Sequence, residues 1–261
     1  MSTLHSLPTY SLAVLRARLA AAAIPAGRHG SVAFGDPRVD AHLPPGGLAL
    51  GALHEVAAEG IEAETGALTA AFAAALLARL LTRVGEARPV IWIARRADLY
   101  PPGLAAYGLD PARLLLVQSG SDALTLGAAE TALRDGAAAS VVAETGAFPR
   151  LAGRRLTLAA EAGGSTGLVL RRWPHGRKAA GAGRAEGSAA TRWRIATVPS
   201  LPEGHAPGAP RWQVTLTHAR GGRPGEWTMT ADKGEDDAPY ALRVVAGLAD
   251  AAGGTSQRRR A

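Results

Sequence analysis

Apolar residues recur along this chain at two periods, and the alternation between them predicts the architecture. Leu68, Phe72, Leu76 and Leu80, joined by Leu77 and Leu81, form one broad apolar face at helical spacing within "LTAAFAAALLARLL". "PVIWIA", residues 89 to 94, is a short apolar run bounded by proline and by charge, as a buried strand would be. "LLLVQ", 114 to 118, repeats that pattern, and "DALTLGAAETALRDGA" then reads as a helix begun by Asp122 and ended near Gly136. "ASVVAET" is the next strand, "LAGRRLTLAAEAGG" the next helix and "GLVLRR" the strand after it. Leu48 to Val56 supplies a strand ahead of the long helix, and the Pro- and Gly-punctuated "GDPRVDAHLPPGGLALG" reads as loop. Strands alternating with helices predict an α/β protein, with a mainly parallel sheet covered on both faces.

After Arg172 the pattern changes. Residues 174–190 are rich in Gly and Ala, basic and without period, which predicts a flexible loop. "TRWRIATV" and "RWQVTLTH" follow, and in the second Trp212, Val214 and Leu216 alternate with polar residues as in a half-buried strand. "ARGGRPG" turns into "EWTMT", predicting a C-terminal antiparallel hairpin. "APYALRVVAGLADAAGG" reads as one more helix, and "TSQRRRA" as a disordered end. At the other terminus Leu12, Leu15 and Leu19 recur at helical spacing ahead of the core. The expected organisation is an N-terminal helix or extension over 1–29, a core over 30–231 and a partly disordered tail over 232–261.

Composition narrows the chemistry. A chain of 261 residues buries a sizeable core without disulfide or metal support, and its lack of cysteine excludes disulfides, zinc ribbons and thiol nucleophiles. The longest uncharged apolar run, Gly66 to Ala78, is short of a membrane span, and Arg16 and Arg18 interrupt the apolar N-terminus, so a cytoplasmic protein is expected. Residues 1–150 carry 12 basic and 13 acidic side chains, whereas 151–261 carry 17 basic and 9 acidic, so the whole positive excess lies in the second part. Such a field favours nucleic acid or an acidic protein as partner.

Candidate chemistry centres on residues 59–68. A strand, a Gly-punctuated loop and a long helix follow one another there, the order in which a phosphate-binding loop is built. That loop requires G-x-x-x-x-G-K-[ST]; here Gly60 and Gly66 are five residues apart, Ala67 and Leu68 follow, and Glu59, Glu62 and Glu64 would face the phosphates. Like charges a few Å apart cost on the order of 1 to 4 kcal/mol each, so ATP binding in the usual way is not expected. The seven histidines show no metal spacing, and no G-x-S-x-G elbow is present. His54 and Glu55 are neighbours on a strand, which turns them to opposite faces and argues against an acid/base couple. Arg192 and Arg194 share a strand face, available to grip phosphates or simply to solvate it. Of the five tryptophans, Trp92, Trp193 and Trp212 fit sheet core, and Trp173 at a loop edge is the best candidate to stack on a base.

"GALHEV" (51 to 56), "LYPPGLAAYGLDPARLLLV" (99 to 117), "AEAGGSTGLVLR" (160 to 171), "ATRWRI" (190 to 195) and "RGGRPGEW" (220 to 227) together resemble the RecA-type recombinase core, and within that superfamily the ImuA family. Those are small RecA-like proteins encoded with the error-prone ImuB and a DnaE-type polymerase in the SOS response. The resemblance runs over roughly residues 30 to 230. It implies a RecA-like core with a degenerate phosphate loop and a C-terminal antiparallel hairpin, and places the magnesium-ordering acid at Glu144. Arg95 and Arg96 stand where an active recombinase has the acid that polarises water. The resemblance thus implies a non-catalytic accessory factor without cofactor, linking a recombinase filament or its single-stranded DNA to translesion polymerase components. The implied partners are an ImuB-like Y-family polymerase homologue, RecA recombinase and, through ImuB, a DnaE-type polymerase, with single-stranded DNA as a further candidate and no membrane. Candidate DNA or partner contacts are Trp173, Arg177, Lys178, Arg184, Arg192, Arg194, Arg220, Arg223, Arg258, Arg259 and Arg260. Leu12, Leu15 and Leu19 are the candidates for docking on a recombinase neighbour. The competing readings are a RecA-type ATPase with an unorthodox phosphate loop, in which Arg96 replaces lysine, and a SulA-like cell-division inhibitor.

Overall fold

A computed structural model of the chain describes residues 29–60, 62–84, 88–172, 188–200, 210–232 and 241–245. The chain runs β1 (Ser31–Val32), α1 (Pro37–Asp40), β2 (Leu48–Ala49), β3 (Leu53–Glu59), α2 (Glu62–Leu81), β4 (Val90–Ala94) and α3 (Pro101–Ala105). It continues through β5 (Leu114–Gln118), α4 (Asp122–Asp135), β6 (Ser140–Thr145), α5 (Arg150–Gly163) and β7 (Thr166–Arg171). The last strands are β8 (Thr191–Val198), β9 (Arg211–Ala219), β10 (Gly225–Asp232) and β11 (Ala241–Val244). Nine of these strands form one sheet in the order β11-β10-β9-β8-β3-β7-β6-β4-β5. The run from β8 to β5 is parallel throughout, and β9, β10 and β11 add antiparallel strands beyond β8.

Strand length and composition explain the parallel part. β6 is buried at every position and β3 at all but two, because helices cover both faces. On one face α2 packs over β3, β7 and β8; on the other α5 lies over β7 and β3, and α4 over β6 and β4. Each face has its own core. Phe72, Leu76 and Leu80 of α2 meet Val56, Trp92, Trp193, Trp212 and Phe34 on the first, and Leu126, Leu133 and Leu156 meet Leu53, Ile93, Val141 and Val169 on the second. Phe34 stacks on Trp193 at 5.8 Å and Phe72 tilts against the same ring at 5.9 Å. Aromatic pairs of this kind add roughly 1 kcal/mol beyond the area they bury.

Three sequence expectations are revised. The stretch Leu48 to Val56 is two strands, because Gly51 takes φ +59° and turns the chain between β2 and β3. Within the expected loop 35–51, Pro37–Asp40 forms a helical turn in which the Asp36 carboxylate accepts from the Arg38 N–H, with Pro37 preset at its start. Residues 241–244, expected in a helix within a tail, instead form β11, paired antiparallel with β10 from Met229 to Asp232. "ALRV" alternates, with Leu242 in the core and Arg243 exposed, so the sheet edge takes it as a strand.

Candidate functional site at the carboxyl ends of the parallel strands

Side chains alternate on a strand, so Leu53, Glu55, Ala57 and Glu59 of β3 face the α5 side and His54, Val56 and Ala58 the α2 side. His54 is therefore separated from Glu55, as the strand reading requires. Its imidazole is fully buried, with Nδ1 2.7 Å from Thr191 Oγ1 and Nε2 2.9 Å from the Ala49 carbonyl. The Trp193 indole N–H donates to the same threonine oxygen at 2.8 Å. Burial pushes the His54 pKa down to about 4, so the ring is neutral and structural.

On the α2 side, the carboxyl ends of β4, β6 and β7 converge with the start of α2 around a cavity of about 460 Å³. Gly66, Ala67, Ala70 and Ala71 form its helical wall, Leu99, Tyr100, Leu104 and Tyr107 the opposite one, and Arg96, Asp98 and Arg172 its rim. Behind the rim, Glu144 is buried and fully engaged. The Trp92 indole donates to its Oε1 at 2.7 Å and Arg172 Nη1 to its Oε2 at 2.7 Å. Arg172 also forks onto Asp98, with both bonds at 2.9 Å. Burial raises the Glu144 pKa, against the pull of Arg172 and of the Trp92 hydrogen bond. The Arg172 hydrogen bond holds the Asp98 carboxyl below its usual range.

The α5 side carries a second acid and arginine network. Glu55, also buried, accepts from Arg171 Nη1 at 3.2 Å and from Arg192 Nε at 2.9 Å. One turn of the pleat further on, Arg194 pairs with Glu59 at 3.2 Å, and the Arg171 guanidinium sits 5.9 Å from the Phe148 ring centre. The register explains the pairing: Glu55 lies beside Arg192, and Ala57 beside both Arg171 and Arg194. The two networks lie back to back through the sheet.

The sequence candidates separate accordingly. Arg192 and Arg194 share one face, as expected, with their guanidinium groups on Glu55 and Glu59. Arg220, at the opposite end of the sheet, donates to the Ser188 carbonyl and lies 3.8 Å from Glu161. Arg223 in the β9–β10 turn anchors its backbone N–H on the His42 carbonyl at 2.9 Å and leaves its side chain exposed. Trp173, Arg177, Lys178, Arg184, Arg258, Arg259, Arg260, Leu12, Leu15 and Leu19 lie outside the described residues. Trp92, Trp193 and Trp212 are fully buried, in agreement with a core role. Sequence reasoning missed both networks, Glu55 with Arg171 on one face and Asp98 with Arg172 on the other. The available signal was "LRR" at the end of a buried strand, where two consecutive arginines must serve opposite faces and each needs an acid. Among the described residues no group of three metal-ligating side chains comes together, and no helix is long and apolar enough to cross a membrane.

Comparison with known proteins gives two results of very different weight. The chain is 46% identical over 223 residues to Protein ImuA of Caulobacter vibrioides strain NA1000 / CB15N, covering 84% of this chain and 90% of that protein. The same figures hold for Protein ImuA of strain ATCC 19089 / CIP 103742 / CB 15. Among solved structures, the crystal structure of SulA from Pseudomonas aeruginosa is 29% identical, over 46% of this chain and 97% of that one, with a TM-score of 0.38. No family model matches the chain.

Proposed function

We propose, since the chain belongs to the ImuA family, that it serves the DNA-damage and mutagenesis system as a RecA-like accessory factor acting by contact rather than catalysis. It links an ImuB-like Y-family polymerase homologue, and through it a DnaE-type error-prone polymerase, to a RecA filament or its single-stranded DNA in the SOS response. The observation that carries the non-catalytic reading is the state of Glu144. A carboxylate that orders magnesium must present an oxygen to the ion, whereas both Glu144 oxygens here accept from protein donors in a buried cluster. The residues around it agree. Arg95 and Arg96 stand beyond β4 where a water-polarising acid belongs, Arg95 pairing with Asp122 at 3.3 Å. Ala67 and Leu68 stand where lysine and a hydroxyl residue would hold phosphates and metal.

Calorimetric titration with Mg-ATP, alone and with single-stranded DNA present, tests this reading. The expected result is no heat of nucleotide binding in either condition. Micromolar binding, about −8 kcal/mol, would overturn it in favour of an ATPase with Arg96 in the role of lysine. Retention of the ImuB-like partner on the immobilised full chain, unchanged by nucleotide, is the matching positive result.

A further inference from the structure

Isolated leucines on a surface are ordinary, but the three most exposed leucines among the described residues share one face. They are Leu124 of α4, at 62%, and Leu151 and Leu158 of α5, at 68% and 64%. Helical spacing sets them around the seam between the two helices. Glu130 of α4 pairs with Arg155 of α5, so these two residues mark the sides on which the helices meet. Leu151 stands four residues before Arg155 and Leu158 three after it, which puts both on the same stripe of α5. On α4, Gly127 and Ala123 stand three and seven residues before Glu130, line the matching stripe and are exposed. A Cβ on Gly127 would meet nothing within 4 Å, so the floor between the stripes is open there, and Leu124, three residues before Gly127, rises at its rim. Each helix is 14 residues long, about 21 Å, enough to seat four turns of a third helix.

We propose that this groove docks an acidic amphipathic helix of another protein, its apolar stripe on Leu124, Leu151 and Leu158. Charge selects the occupant. Arg150 and Arg154 bracket Leu151, are exposed and pair with no acid among the described residues. Arg134 and Arg155 share a single acid, Glu130. Four guanidinium groups therefore surround the leucines against one carboxylate, and the N-terminal ends of α4 and α5 add their partial positive charge beside them. Asp122 at the start of α4 is taken up by Arg95 and the Ala147 N–H. Asp135 and Glu161 lie at the far, C-terminal ends, where Glu161 is 3.8 Å from Arg220. Apolar knobs in a positive frame match a helix that carries an apolar stripe between acidic flanks. A second copy of this chain fits poorly, because pairing this face with itself would set Arg150 and Arg154 against their own copies. A nucleic-acid backbone would satisfy the charge but leave the leucines uncovered. The inference stands on the α4–α5 surface alone and does not depend on the proposed function.

The probe is a dye-labelled synthetic helix of about five turns, with leucines along one stripe and glutamates on both flanks, and its twin carries lysine for every glutamate. In an anisotropy titration with the full chain, the acidic helix should bind about tenfold more tightly than the twin. Leu151→Asp with Leu158→Asp should weaken that binding by more than about tenfold, since two leucine contacts are lost. Arg154→Glu should weaken it about three- to fivefold, as expected for a charge at the rim. All three side chains are exposed, so the variants should keep the thermal midpoint of the parent. Equal affinity for the twins, binding of neither, or unchanged binding in the double leucine variant overturns the proposal. Because the chain has no native cysteine, Gly127→Cys can carry a single polarity-sensitive dye. Its emission should shift to the blue when the unlabelled acidic helix binds; binding without a shift would place the helix elsewhere and overturn the proposal too. Adsorption to anionic phospholipid vesicles in place of the peptide, lost in the double leucine variant, would make the face a membrane contact and overturn it as well.

Discussion

His54 shows how much one residue can be made to carry by its surroundings. With both ring nitrogens hydrogen-bonded inside the sheet and its pKa at about 4 against an ordinary 6.5, the folded protein resists protonation that the unfolded chain accepts. The unfolded state therefore binds more protons between those two values, and stability falls as pH drops from about 6.5 towards 4. A difference of this size corresponds to roughly 3 kcal/mol, and His218, lowered in the same direction by burial and by Arg192 and Arg220, adds to it. Denaturant titration at pH 7.5 and at pH 5 should show the loss, and His54→Gln should remove most of the difference while lowering stability at both values. An unchanged pH slope in His54→Gln would show that His54 is not its source. Glu55 makes the complementary case. Glu55→Ala leaves Arg171 and Arg192 without the carboxylate that joins them and should destabilise the protein by about 3 to 5 kcal/mol, the usual cost of breaking a buried pair. A thermal midpoint within a degree or two of the parent would contradict this.

At the scale of elements, the parallel half was legible because its signals are local. The apolar runs at β4, β5 and β6, the long apolar face of α2 and the termination of α4 at Gly136 each declare themselves within a few residues. The α4 cap differs by one position from the sequence reading: the Ser121 hydroxyl accepts from the Leu124 N–H, and Asp122 follows in the first turn. What local pattern could not show was pairing. β11 reads as the start of a helix until β10 is known to offer it an open edge, and the arginines of β8 read as a free basic face until β3 is placed beside them with Glu55 and Glu59 in register. The α4–α5 contact is likewise invisible in either helix alone. Gly163 ends α5 with its Cα against the carbonyls of Leu133 and Arg134, a separation that a methyl group would force apart. Gly163→Ala should therefore destabilise by about 2 kcal/mol through helix displacement, although alanine is the better helix former. Hydrogen exchange should show the loss first in the last turns of α4 and α5; uniform exchange across the chain would place the effect elsewhere.

For the molecule as a whole, the question is where its positive charge can act. All of the excess lies in residues 151–261, and the structure pairs much of it with acids of the same chain. Arg155 binds Glu130, Arg171 and Arg192 bind Glu55, Arg172 binds Glu144 and Asp98, and Arg194 binds Glu59. Internal pairing of this kind holds strands in register, but it removes those guanidinium groups from any contest for phosphate, because a phosphate would have to displace a carboxylate already in place. Among the described candidates, Arg223 at the exposed β9–β10 turn is the one best placed to meet a nucleic-acid backbone. If single-stranded DNA is a partner, the slope of log affinity against log salt should fall by about 0.7 in Arg223→Ala, one phosphate contact's worth. In Arg192→Ala the slope should stay as it is, while the thermal midpoint drops. The opposite outcome, a reduced slope in Arg192→Ala and none in Arg223→Ala, would mean that the Glu55 cluster opens to receive DNA. The carboxyl-end networks would then be a binding surface held shut by its own acids, and not a fixed structural floor.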